Sequence, residues 1–152
     1  MQSKVTLAAL VILTVSVLPA RASGFDDKPI DQQSINALQA KILQAQPREQ
    51  CFLYAELLHQ VTEFSVRQYA SGDEEKADIL LRQVQDLAHK VHLSMSDDNK
   101  RLKTTQILLR HTAFRLTEML HSSNIEDRPL VAATLAQVNR AQDEAMMQVF
   151  RK

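Results

Sequence analysis

Between residues 31 and 152 the apolar positions recur every three or four residues in five separate runs, the spacing of amphipathic helices. The clearest run lies between Pro47 and Gly72, where Tyr54, Leu57, Leu58, Val61, Phe64 and Ser65 share one face. Before it, Ile35, Leu38, Ile42 and Leu43 mark a short first helix ending near Gln44. Asp31 is placed to cap that helix, with Ile30 and Ile35 as a hydrophobic staple. Pro47 suits the first turn of the second helix, and Gly72 suits its left-handed C-terminal cap. Asp73 caps a third helix that carries Ala77, Leu80, Leu81, Val84, Leu87, Ala88 and Val91 and ends near Met95, with Glu74 and Glu75 favouring its positive end. Ser96, Asp97 and Asp98 are placed to cap a fourth helix bearing Leu102, Thr105, Leu109, Thr112, Ala113, Leu116 and Leu120. Asp127, with Pro129 behind it, opens a fifth that carries Val131, Leu135, Val138, Ala141, Ala145 and Val149.

Helices two to five are each about 22 to 25 residues, roughly 35 Å long. The links between them are short, and short links force antiparallel neighbours, each helix beside the next. The expected fold is therefore all-α: an up-down-up-down four-helix bundle with a short extra N-terminal helix. Helix-turn-helix solenoid repeats compete with this reading, but the helices are long for them and no repeat of 30 to 45 residues is visible. Helix two also has apolar residues off its main face, at Phe52, Ala55 and Val66, and helix four has Ile107 and Phe114. Either helix one packs there or these stripes form a dimer surface.

Composition agrees with a helical domain: the 152 residues include two glycines and no tryptophan, which disfavours a loop-rich or β-rich fold. The length suits one domain with a full core. The first 22 residues read differently. Lys4, an apolar run from Val5 to Leu18, Pro19 and then Ala20-Arg21-Ala22 have the form of a secretory signal peptide with its cleavage site. Retention of that run as an uncleaved anchor is the alternative, although it is shorter than the roughly 20 residues a spanning helix needs. Residues 23–30 read as a flexible lead, and 31–152 as the single helical-bundle domain. Lysine and arginine balance aspartate and glutamate at 18 each. Cleavage removes Lys4 and Arg21 and no acidic residue, leaving a net charge of −2. Neither balance favours nucleic acid or an anionic membrane as a partner. No stable membrane anchor is expected after cleavage, and the expected location is periplasmic or secreted.

An oxidising compartment gives the single cysteine, Cys51, two readings: an intermolecular disulfide or reactive thiol, or a small buried hydrophobe beside the apolar face of helix two. No disulfide within the chain is open to it. The best candidate for chemistry is a metal site. Glu56-x-x-His59 and Glu118-x-x-His121 match the Glu-x-x-His spacing of carboxylate-bridged di-iron bundles, with Asp86-x-x-His89 a relative. Advancing 100° per residue puts His59 about 160° from Val61, with Glu56 and Glu63 also on the far side, and Glu118 about 180° from Leu109. Di-iron ligands point inward, so direction excludes that centre. Depth excludes it too: His59 falls level with about Gln85 on helix three and Ile107 on helix four, more than two turns from His121. What remains is a surface metal site of Glu56, His59 and Glu63, joined by His89, with His92 three residues on, if helices two and three meet there, for a divalent transition metal. Solvated or capping histidines are the plainer account of the same residues, with His121 suited to a last turn.

Other chemistries are absent from the pattern. There is no C-x-x-C-H for haem attachment and no G-x-S-x-G, and two glycines cannot build a phosphate-cradling loop. One cysteine and one histidine, Cys51 and His59, keep only a residual hydrolytic or redox reading alive. Lys100, Arg101, Lys103, Arg110, His111 and Arg115 are spread around helix four as a solvated face rather than gathered as an anion site.

A signal peptide followed by QCFLYAELLH at 50–59, then a basic helix with RLKT at 101–104 and RHT at 110–112, resembles small exported all-helical proteins of unknown function from soil bacteria of the acidobacterial type. The resemblance covers most of the mature chain. It implies a compartment and a fold and transfers no site. The expected role is a non-enzymatic exported bundle that works through protein contacts, as a homo-oligomer or with a protein partner. The alternative is a bundle that binds a metal or small ligand.

Overall fold

The computed structural model describes residues 30–151. The expected signal segment 1–22, the lead as far as Pro29, and Lys152 lie outside the described residues. The described chain is all helical: α1 (Gln32–Gln44), α2 (Pro47–Ala70), α3 (Glu74–Ser94), α4 (Leu102–Ser122) and α5 (Arg128–Arg151). Local sequence accounts for most of the ends. Asp31 caps α1 through Ser34, whose hydroxyl returns the bond to the Asp31 backbone. Gly72 closes α2 with φ +86°, a conformation that costs glycine nothing and side-chain-bearing residues about 1 kcal/mol or more. Asp73 caps α3 through the Lys76 N–H.

The start of α4 departs from expectation. Ser96, Asp97 and Asp98 do not cap it; the N-cap is Arg101, left-handed at φ 60°, with no side-chain cap bond. Residues 95–101 instead form an ordered crossing. Asn99 is buried and donates to the Ser94 carbonyl while accepting from the Ser96 hydroxyl. The Lys100 N–H donates to the Arg48 carbonyl, its ammonium meets Glu49 at 3.1 Å, and the Arg101 guanidinium stacks 3.6 Å from the centroid of the Phe52 ring. The crossing is thus fastened to the first turns of α2.

That crossing decides the neighbours. α2 packs against α1, α3 and α4, and α5 packs against α3 and α4; α2 does not approach α5, nor α3 approach α4. Successive helices still reverse direction, but the ring expected of a sequential bundle, with α3 beside α4, is replaced by two antiparallel hairpins laid side by side. α2 runs parallel to α4, since Glu49, His59 and Glu63 meet Lys100, Thr112 and Arg115 in rising order. α3 runs parallel to α5, since Gln85 and His92 meet Thr134 and Glu144.

The core lies between the hairpins, with Leu58, Val61, Leu81, Val84, Leu109, Leu116, Val131 and Val138 fully buried. α1 covers α2 alone, through Ile35, Leu38 and Ile42. The stripes off the main faces resolve in opposite ways. On α2, Phe52 and Ala55 are buried and Val66 half-buried against the core, because α2 has three helical neighbours. On α4, Ile107 and Phe114 stay 41% and 62% exposed, and α1 does not reach them.

Arg101 combines a left-handed backbone with a cation–π contact. Arg101→Ala loses the contact and keeps the backbone cost, whereas Arg101→Gly loses the contact and sheds that cost. Urea denaturation should find Arg101→Gly the more stable of the two by about 1 kcal/mol; equal midpoints would show that the left-handed turn is unstrained.

Candidate functional site

The polar groups singled out on α2 lie in the seam between α2 and α4. His59 and Glu63 are one turn apart on the flank of α2 opposite Val61, and α4 occupies that flank. The angle read from helical periodicity is right; what faces it is a helix rather than water. The level opposite His59 on α4 is Thr112, about a turn beyond Ile107, because the crossing at 95–101 is longer than the turn at Gly72.

His59 Nδ1 lies 3.0 Å from Thr112 Oγ1. The threonine hydroxyl has one hydrogen, and it donates that to the Leu108 carbonyl at 3.0 Å. It therefore accepts from His59, which fixes the proton on Nδ1. Burial pushes the His59 pKa down, helped by His111 and Arg115 and opposed by Glu63. Glu63 is held by Arg115 in a two-point contact, Nε to Oε1 at 2.7 Å and Nη2 to Oε2 at 3.2 Å, and the remaining nitrogen, Nη1, bonds Glu118 on its own helix. Both groups that looked free to bind a metal already have partners in the fold.

The proposed ligand set of Glu56, His59, Glu63 and His89 is not brought together. His89 lies on the α3 flank facing α5, its ring stacked 6.1 Å from His92, whereas His59 and Glu63 face α4. Glu56 stays on α2, half-buried. Among the described residues no group of three or more His, Cys, Asp and Glu side chains is arranged to hold a metal ion. The cause is topological: α3 and α4 approach α2 from different sides.

Cys51 is fully buried, its sulfur 3.9 Å from the Val91 carbonyl. Burial raises its thiol pKa, against smaller lowering effects from Ser94 and Asn99, so the thiolate that attack or disulfide exchange requires is suppressed. It sits two turns from His59, about 12 Å along the axis, which removes the Cys-His pairing as a nucleophile and base. An intermolecular disulfide at Cys51 would require the helix interface to open.

Arg115 and Thr112 were not legible in the sequence as partners of this seam, nor were Gln137, Arg140 and Glu144 as the α5 neighbours of His89 and His92. Thr112 was visible only as a member of the core stripe. The Glu144 link was visible only if α3 and α5 were known to be parallel. No family model, curated protein or solved structure matches the chain. No helix among the described residues is long and apolar enough to cross a membrane.

Two outcomes follow from the surroundings of His59 and Cys51. Because His59 is harder to protonate folded than unfolded, its contribution is complete above the ordinary imidazole value of about 6.5 and is lost as pH falls below it. Urea midpoints should fall between about pH 7.5 and 5.5 more steeply for the native chain than for His59→Gln, whose amide N–H keeps the donor to Thr112; parallel slopes would remove His59 as the cause. A thiol reagent should label Cys51 only on the timescale of unfolding, and rapid labelling of the native protein would contradict the burial described.

Proposed function

We propose that the protein is a non-enzymatic exported helical bundle that works through protein contacts, first of all with a second copy of itself, using the outer face of the α4–α5 hairpin. The observation that supports this reading is the apolar relief of that face. Ile107 and Phe114 stand two turns apart on α4, and Met146 and Phe150 stand one turn apart near the end of α5; Phe114 is 62% and Phe150 80% exposed. Because α4 and α5 are antiparallel, the first half of α4 lies beside the last turns of α5. Single exposed apolar side chains are ordinary, but grouped ones mark contact surfaces.

Charge favours a second copy as the occupant. Lys103 and Arg110 flank Ile107 on α4, Asp143 lies on the matching flank of α5, and no ion pair among the described residues engages any of the three. A two-fold axis parallel to the helices sets α4 of one copy against α5 of the other. Lys103 and Arg110 then face Asp143 twice over, as an isologous interface requires. The half-buried polar seam supports a structural role for His59 and Glu63 over a catalytic one, since each already has its partner.

Native mass spectrometry and light scattering of the mature chain should find a dimer that survives reduction and that Phe114→Glu converts to a folded monomer. A monomer at every concentration, binding no hydrophobic dye, would overturn the reading. A dimer that collapses on reduction would replace this interface with one through Cys51.

A further inference from the structure

α3 and α5 run side by side, and where their facing side chains are alanines they leave a groove of about 260 Å³. Ala88 and Ala141, each 3% exposed, form its floor. Its walls are His89 and His92 from α3 and Gln137, Arg140 and Glu144 from α5. The floor is apolar and small, so the space exists because no larger side chain fills it.

The wall is well supplied with hydrogen-bond donors. The one carboxylate, Glu144, is taken by His92, whose Nδ1 lies 2.6 Å away. That pairing leaves His92 Nε2 free and orients the ring against His89, stacked at 6.1 Å with 27° between the planes. Arg140 has no ion pair and Gln137 no hydrogen bond among the described residues, and His89 has only its ring contact. A guanidinium, an amide and an imidazole thus border one groove without acceptors of their own. A cation is disfavoured: Arg140 repels it, and the histidines with Glu144 form no metal-holding group. An anionic oxygen group suits the set, because guanidinium binds carboxylate and phosphate through paired N–H bonds. The volume lies just below the usual range for small-molecule pockets, which limits the occupant to a compact molecule.

We propose that the α3–α5 groove is a binding site for a small organic anion, its carboxylate or phosphate received by Arg140, Gln137 and His89 and its carbon skeleton resting on Ala88 and Ala141. This site is independent of the dimer face, which lies on the opposite flank of α5, so Phe114→Glu leaves it intact.

The test is calorimetry on the mature protein, with succinate and inorganic phosphate as soluble probes and phosphatidylglycerol vesicles as the membrane-bound source of the same chemistry. Saturable binding of either soluble probe is expected. Arg140→Gln, a surface change, should weaken it by about tenfold or more. Ala141→Leu should abolish it by filling the floor, with circular dichroism confirming the fold. His111→Gln, at an exposed position on α4, should bind as the native chain does. Vesicle binding lost in Arg140→Gln, with no soluble probe bound, would assign the same anion chemistry to a lipid headgroup. Absence of binding to all three probes, or binding unchanged in both Arg140→Gln and Ala141→Leu, would overturn the proposal.

Discussion

The fold depends on the number of helices that α2 must satisfy. α1, α3 and α4 all pack on it, so its buried surface runs from Cys51 to Ser65 with few exposed gaps. A helix with one partner needs a narrow apolar stripe, whereas one with three needs apolar or self-satisfied polar residues around most of its circumference. α2 uses both. Phe52, Ala55, Leu58 and Val61 supply the apolar part. Thr62 and Ser65 are buried but close their own bonds, to the Leu58 carbonyl within α2 and to the Ala77 carbonyl across to α3. α4 has only two neighbours, and its third flank is where Ile107 and Phe114 are left to solvent. The same lateral packing that completes α2 stops one helix short at α4.

The two hairpins meet through two parallel seams built alike. In one, His59 donates to Thr112, which donates to the Leu108 carbonyl. In the other, Gln85 donates to Thr134, which donates to the Leu130 carbonyl. His59 and Gln85 lie at the same level on α2 and α3. A threonine that spends its hydrogen on the carbonyl four residues back becomes a pure acceptor toward the neighbouring helix. It is also small enough to let the helices close. This recurrence is structural rather than sequential, which is why no repeat was visible in the chain.

Most helix boundaries were legible from the residues, because they rest on local chemistry: Asp31 and Ser34 at α1, Pro47 and Gly72 at either end of α2, Asp73 at α3. The start of α4 was not, because Arg101 holds a left-handed turn through contacts with Phe52, remote in sequence. The neighbour relations failed for a related reason. Short links predict antiparallel succession, but they do not say whether a link runs along an edge or across a diagonal, and the fastening of 95–101 to α2 through Lys100 and Arg101 is what selects the diagonal. The candidate site depends on the same choice of diagonal. Periodicity placed His59 and Glu63 correctly on the flank away from Val61; the identity of the helix on that flank was information the chain expresses only in three dimensions.

The diagonal also explains why the cross-helix charges lie where they do. Turns at Gly72 and residues 123–127 set the register of α2 on α3 and of α4 on α5. Neither parallel seam has a turn of its own, so its register rests on the crossing and on side chains that reach across. Those are Glu49 to Lys100, His59 to Thr112, Glu63 to Arg115 and Tyr69 to Asp127 in one seam, and Gln85 to Thr134 and His92 to Glu144 in the other. Apolar packing tolerates sliding by a turn, since one leucine replaces another; paired polar groups do not, because a slide leaves a carboxylate or an imidazole unpaired in a seam. An exposed pair adds little stability, so the two-point hold of Arg115 on Glu63 matters chiefly as an index that admits one alignment of α2 with α4. Glu63 and His59 belong to the machinery that makes the fold unique, and the donors left without such work, Arg140 and Gln137 beside His89, are the ones a ligand has to answer.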